Sequence, residues 1–481
     1  MKANPLDQLN KRSTLSKVLI PLTWFIFLLS AGLIVYYFSA FPSWRLGGWI
    51  HINGFSIVIY AVVSFFSGIV QMYSANYMKG FKYQNKFLLL CLAFSLSVML
   101  FVVSNHVVLM VLFWFLMGAI MSKLIGIDSE WKEAKHASKF ARTNYYGGTL
   151  CFALGIAILV FTTGAFSRTE ILLNLESAVQ WQITLASLFI LTAAIIQSAI
   201  FPFHRWLLSA MTSPTPASAL MHAGFVNGAG ILLTLFAPVL FKANILLLIF
   251  IIGGVTAIVA QFSKLLQVNV KQKLACSTIA QMSFMVMQCG LGFFSAAITH
   301  LILHGFYKAY LFLTAGEEVK NALPKPPETI IIKPLQAVVI TLSAILGGVF
   351  FSFLTGKGIA LDSGLFLTFI VAITVGQVVY NILNHANVAG VTKLIITPIL
   401  IIAGVGVYAL VFNGVTLLMY DMPMANVAVE LTAVHIIFGI VFLIAFHIML
   451  SGIYRKIPWL YVKLMNVSQP LNKSVISFKT K

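Results

Sequence analysis

Acidic side chains are scarce in this chain. Only 12 of 481 residues are Asp or Glu, and charged residues of both signs make up 9% of the sequence against 60% hydrophobic. A soluble domain cannot cover its surface with so few charges, and a mean hydropathy of +0.97 places the chain among polytopic membrane proteins. Cysteine is scarce too. Cys91, Cys151, Cys276 and Cys289 fall in apolar segments without CxxC or Cys/His spacing, which argues against a zinc or iron–sulfur centre and against a disulfide framework. A soluble domain, a low-complexity linker and a strong residue-level repeat are missing as well, and no nucleophile is paired with a base, so nothing marks the chain as an enzyme.

Basic residues outnumber acidic ones 31 to 12, for a formal charge of +19. In so apolar a chain the usual source of this excess is the retention of basic loops on the cytoplasmic side of a membrane, not nucleic-acid binding. Apolar stretches of spanning length occur near 17–40, 52–75, 86–104, 106–127, 145–164, 182–200, 215–241, 245–263, 272–292, 294–315, 335–355, 362–384, 391–413 and 431–452. They predict an all-α, polytopic membrane fold of about 14 transmembrane helices. The first run, Val18 to Phe38, is too long for the core of a cleaved signal and reads as a retained span. With the amino terminus cytoplasmic, the inner loops hold 25 of the 31 Lys and Arg, while Arg45, Arg168 and Lys242 lie outside. Both termini are therefore expected in the cytoplasm. Residues 1–481 read as a single membrane domain with a basic cytoplasmic tail at 453–481, and the largest polar loops are 128–144 and 316–334.

Two stretches interrupt the apolar pattern. In FPFHRWLLSAMTSPTPASALMHAGF, Phe201 to Phe225, the rings of Pro202, Pro214 and Pro216 each delete a backbone donor and break or end a helix. In FFSFLTGKGIALDSG, Gly356 and Gly358 bracket Lys357. A helix broken at membrane depth survives only where it is buried in protein or lines a wet cavity. Two discontinuous helices in corresponding places predict an inverted-repeat transporter with its ion path at the breaks.

An ionisable group inside the membrane costs on the order of 3 kcal/mol or more and usually faces a cavity or a partner. His300, His304 and Lys308 stand at i, i+4 and i+8, stacked on one helix face over roughly 12 Å. They read as a proton relay, with helix-packing hydrogen bonds as the rival reading. His222 follows the proline break closely enough to bond freed carbonyls or to pass protons. Lys357 reads as a gating or terminal proton site, or as a lysine snorkelling from a helix end. Lys123 reads first as snorkelling toward Asp128 or Glu130. Ser277, Gln281 and Gln288 share one helix face, and Gln377, Asn381 and His385 another; polar glue between helices and the lining of a water path are both open for them. His51, His106 and His435, near span ends, read as interfacial hydrogen-bonding groups.

The runs PFHRWLLSAMTSPTPASALMHAG, VKQKLACSTIAQM and HLILHGFYKAYLFLTAG resemble the antiporter-like proton-channel subunits of respiratory complex I and of multisubunit cation/proton antiporters. The resemblance implies an antiporter-like core at about 106–385. His222, His300, His304, Lys308 and Lys357 match polar positions of that superfamily, with Gln281, Gln197 and Lys123 completing the candidate cation path. Three departures stand out. Trp114-Phe115 replaces a Trp-Glu pair, Gln197 stands where the pumps carry lysine, and Gly358 replaces an Asp. The chain also ends soon after its last apolar stretch, so the long lateral helix of complex I is not expected, and all of this disfavours a redox-driven pump.

Within the superfamily, SALMHAGFVNGAG and MVMQCGLGFFSAAITHLILHGFYKAYLF are most similar to the membrane subunits of DabA/DabB inorganic-carbon accumulation systems. That likeness implies a subunit of a bacterial inner membrane that conducts protons or Na+. Its cytoplasmic zinc partner would resemble carbonic anhydrase, act on CO2 or bicarbonate and carry the zinc, with no cofactor in this chain. The rival readings are an antiporter or respiratory subunit, and a membrane scaffold that conducts nothing. The expected route runs from the outer side through Lys357, Lys308, His304 and His300 to the cytoplasm near His222 and Pro214.

Overall fold

The structure, a computed structural model, describes residues 14–38, 40–316, 334–385 and 390–475. Helix α1 (Thr14–Tyr36) leads into a hairpin of β1 (Trp44–Leu46) and β2 (Ile50–Ile52), paired antiparallel with Arg45 opposite His51. Then come α2 (Gly54–Tyr77), α3 (Gln84–Val103), α4 (Val107–Ile125), α5 (Lys132–Thr163), α6 (Arg168–Leu173) and α7 (Gln180–Gln197). The middle of the chain forms α8 (Arg205–Ser209), α9 (Thr215–Ala223), α10 (Gly228–Leu235), α11 (Ala237–Lys242), α12 (Leu246–Leu266), α13 (Val270–Gly290) and α14 (Phe294–Leu313). It closes with α15 (Pro334–Thr355), α16 (Ser363–His385), α17 (Gly390–Leu418), α18 (Ala433–Ser451) and the short α19 (Pro458–Val467).

Helices dominate because a segment in lipid must satisfy its own amides and carbonyls. Every expected apolar stretch falls on one of these helices or, at 215–241, on a series of them. Among the described residues eleven helices are long and apolar enough to cross a membrane, and Ala433–Met449 is a shorter apolar helix. The remaining two, α13 and α14, have spanning length at 21 and 20 residues, but they carry the intramembrane polar residues.

Three expectations need correction. The 128–144 loop is helical from Lys132, because KEAKHASKFAR is rich in helix formers and simply extends the following span. Pro214 and Pro216 do not interrupt a helix; they sit at the N-cap and in the first turn of α9, where a missing N–H costs nothing. Gly356 and Gly358, at φ +66° and +79°, do not interrupt a span either. They form the turn between α15 and α16, which pack side by side in opposite directions, with Gly347 against Val375 and Gly376 against Ala344. The 316–334 loop lies almost wholly outside the described residues, and so do the first basic residues of the chain and the end of its tail.

The bundle is built around α9 and α10. The window Thr215–Leu235 is 94% buried, enclosed by α2, α4, α7, α13 and α14. Two faces result. The hairpin face collects β1–β2, α6, the 356–362 turn and the 419–432 loop, tied by pairings between Phe293 and Asn426 and between Asp362 and Glu430. The basic face collects the ends of α5, α8, α12 and α13 with α19 and the segment after it.

Helices of a membrane bundle gain little from hydrophobic transfer and rely on close approach. The α12–α13 pair shows this. A Cβ on Gly253 would sit 2.7 Å from both Met287 N and Ser283 O, and one on Gly290 would strike the Phe250 backbone. Gly253→Ala and Gly290→Ala should each cost about 1–3 kcal/mol through overpacking. Gly147→Ala, with open space around it, should not. Thermal unfolding of the three purified variants checks this, and equal midpoints would contradict it.

Candidate functional site: a buried polar line beside a broken helix

The discontinuity at membrane depth lies at Gly224–Gly228, where α9 gives way to a 3-10 turn over Phe225–Asn227 before α10 begins. Breaking the ladder there frees backbone groups, and side chains engage three of them. The Ser198 hydroxyl donates to Val226 O and accepts from Ala229 N at 3.1 Å, while Asn227 Nδ2 donates to Ala223 O at 2.7 Å. Ser198 sits where α7 ends, so the same short segment buries Gln197, which is 2% exposed and packs its side chain on Gly228 beside Trp114. The Gln197 Nε2 has no protein partner. Pro202 lies in the turn that joins α7 to α8.

His222 closes the last turn of α9 and stacks on Phe312 of α14 at 4.3 Å between ring centroids. It is fully buried, and neither ring nitrogen has a protein partner. Lys308 is also fully buried, its Nζ donating to Leu274 O at 2.9 Å. Among the described residues no Asp or Glu pairs with it. His304 is buried with Nε2 unpartnered, and His300 stacks on it at 6.0 Å. Buried nitrogens without protein partners are rare, and in a membrane they mark groups that exchange protons or meet water.

The structure orders these groups. Phe293, just before α14, carries Lys357 Nζ over its ring at 5.1 Å, so the hairpin-face end of α14 meets Lys357. The line then runs Lys357, His300, His304, Lys308, with His222 alongside the last two. Lys308 does not neighbour Lys357 as the expected route had it, because α14 starts at the 356–362 turn and Lys308 lies at its far end. The half-buried Lys357 presents its carbonyl to Ser352 Oγ at 2.5 Å. Gln281 is partly buried on α13, and Gln288 on the same helix reaches Tyr408 at 3.4 Å, bridging to α17. Lys123 is exposed in the last turn of α4, as a snorkelling residue would be. The side chains of Asn381 and His385 lie outside the described set. Among the described residues no three His, Cys, Asp or Glu stand together as a metal site.

The residues missed by sequence reasoning cluster on the hairpin face. Arg168 is 4% exposed, and its guanidinium reaches His51 Nδ1 at 3.1 Å and, less closely, Leu235 O at the end of α10 at 3.5 Å. His51 holds its Nε2 2.7 Å from Ser43 Oγ, so the imidazole bridges two elements and is no simple interfacial group. Asn53 Nδ2 donates to Asp421 Oδ2 at 3.0 Å, tying the hairpin to the 419–432 loop. Burial, then the charges of Arg168 and Arg45, push the His51 imidazole down to about 4. Burial lowers the Arg168 guanidinium to about 10, opposed by Asp421, and raises the Asp421 carboxyl above its usual range. One signal could have found Arg168: it is an arginine on the side that loop charge otherwise avoids. His106, by contrast, stacks on Trp49, and His435 accepts from Thr432 N at 3.1 Å, both local roles.

Comparison with known proteins follows the same lines. The family described as "NADH:quinone oxidoreductase/Mrp antiporter, TM" matches residues 104–356. The "Probable inorganic carbon transporter subunit DabB" of Bacillus subtilis is 32% identical over 357 residues, 73% of this chain and 70% of the relative. The "Probable inorganic carbon transporter subunit DabB1" of Halothiobacillus neapolitanus is 35% identical over 301 residues, 59% of this chain; the match spans only 53% of that relative. The structure of the Mrp complex from a Dietzia species superimposes with a TM-score of 0.59 at 20% identity, covering 96% of this chain and 58% of the other, which shows a shared fold.

The hairpin-face cluster makes stability depend on pH in a stated direction. With its folded value near 4 against an ordinary 6.5, His51 stays neutral in the folded protein over a range in which the unfolded chain takes up a proton. Its contribution is therefore complete above pH 6.5 and is lost as pH falls toward 4. His51→Gln should flatten the decline in melting temperature across that window. Parallel melting curves for the two proteins would contradict it.

Proposed function

The chain belongs to the NADH:quinone oxidoreductase/Mrp antiporter membrane family, with DabB inorganic-carbon transporter subunits as relatives; from that premise we propose that it is the cation-conducting membrane subunit of an inorganic-carbon uptake complex. The observation that carries this reading is the alignment of His300, His304 and Lys308 along one helix that packs against the broken α9–α10 segment, with Lys357 over Phe293 at its hairpin-face end and His222 facing its last members. Protons are the cation best suited to it, since every member is a titratable nitrogen base. Gln197 and Phe115 support downhill conduction over pumping: neither can carry the charge that an internal acid–lysine pair would hold.

On this reading, supported by the loop charges, the basic face is cytoplasmic in a bacterial inner membrane, and cations enter by the hairpin face and leave beyond Lys308. The partner is a DabA-like cytoplasmic zinc protein resembling carbonic anhydrase, which hydrates CO2 or takes up bicarbonate at the expense of the cation gradient. This chain supplies the path and no metal.

Lys308→Gln and His304→Gln should abolish growth in air while leaving growth at high CO2 and the co-purification of the zinc partner intact. Unchanged growth in air would overturn the proposal. Loss of the assembled complex would make the line structural.

A further inference from the structure

Beyond Lys308 the basic face is closed by the chain's own C-terminal segment. After α19, whose Leu464 packs with Phe262 and Tyr454, residues 466–471 cross the gap between the α7–α8 turn and the end of α12. The bonds that hold this strap are addressed mainly to its backbone. His204 Nε2–H donates to Val467 O at 2.8 Å, Arg205 donates to Asn466 O at 2.8 Å, Gln267 donates to Ser468 O at 3.0 Å, and Leu471 N donates to Ser209 Oγ at 2.9 Å. Ser468 is fully buried beneath these contacts.

Under the strap lies a narrow cavity of about 10 Å³ with an apolar accessible lining, walled by His204, Leu208, Val259, Cys276, Ile279 and Ser468 among others. Its wall leads back to the polar line. Cys276 follows Leu274, the carbonyl that holds Lys308, by two residues, and lies near enough to feel the charges of both Lys308 and Lys264. His204 is 7% exposed; its Nε2 is engaged with the strap, and the Pro202 backbone lies against the same ring. An imidazole held between the covering strap and the protein interior can take a proton on one nitrogen and release one from the other.

We propose that residues 466–471 form a gate over the basic-face end of the cation path and that His204 is the group through which protons pass it. The inference rests on the conducting role proposed above and adds to it an exit residue and a means of regulation: a partner or a signal that lifts the strap opens the path. Arg205 and Gln267 serve as positioning residues, holding the strap closed without touching the cation.

The test uses the full chain in its assembled complex, reconstituted in liposomes under an imposed pH gradient, with proton flux read by an internal dye and Cys276 accessibility read by a membrane-impermeant thiol reagent. His204→Gln keeps a hydrogen-bond donor for Val467 but cannot titrate, and should lower flux by about tenfold or more with Cys276 labelling unchanged. Arg205→Ala combined with Gln267→Ala should raise both labelling and flux several-fold. Wild-type flux in His204→Gln, or labelling unmoved by the double variant, would overturn the proposal. Lys308→Gln run in parallel separates the two levels: if it abolishes flux while His204→Gln does not, conduction stands and the exit assignment falls; if it too conducts normally, the conducting role itself fails.

Discussion

A helix that leaves its own hydrogen-bond ladder at membrane depth frees amides and carbonyls that lipid cannot satisfy, and in this protein the Ser198 hydroxyl and the Asn227 amide meet that constraint at Gly224–Gly228. Ser198 serves Val226 O and Ala229 N together. Because Ser198 belongs to the end of α7, the bond fixes α7 against the break and drives its neighbour Gln197 onto Gly228. The same arrangement turns His222 toward Phe312 and so toward Lys308. Break, buried polar line and helix packing are thus one construction, and removing the Ser198 bonds would leave two buried backbone groups unpaired.

The second organising fact is electrostatic. A lysine buried without an acid is expensive in a low-dielectric interior, and among the described residues the partner of the Lys308 ammonium is a backbone carbonyl and no Asp or Glu. Pumping by charge-pair separation needs an internal acid, and position 115, where the related pumps carry one, is Phe. On the hairpin face Asp421 and Arg168 join both ends of the sequence around His51 and Asn53.

Much of this was legible in the sequence. Spans follow from apolar length, because a bilayer fixes the length of a helix, and the face shared by His300, His304 and Lys308 follows from helical periodicity alone. The location of the break was harder to read. Proline marks helix ends strongly, so Pro214 and Pro216 drew attention to the start of α9, while the true discontinuity depends on Ser198 and Asn227, whose partners are set only by tertiary packing. The glycine pair around Lys357 illustrates the same limit, since positive φ allows a turn between two helices as readily as a break within one. The order of the path also needed the fold, because sequence spacing does not say which end of α14 meets Lys357. The contacts of Arg168 and of the 466–471 strap were out of reach for the same reason: they are with residues tens to hundreds of positions away.

The most direct test of conduction along this line is the decay of a pH gradient across liposomes containing the purified complex, measured with and without Na+ on either side. Decay at the same rate in both conditions, with no redox substrate supplied, is the behaviour of a proton path without an internal charge pair. A gradient that persists, or that decays only when Na+ is present to exchange, would contradict it.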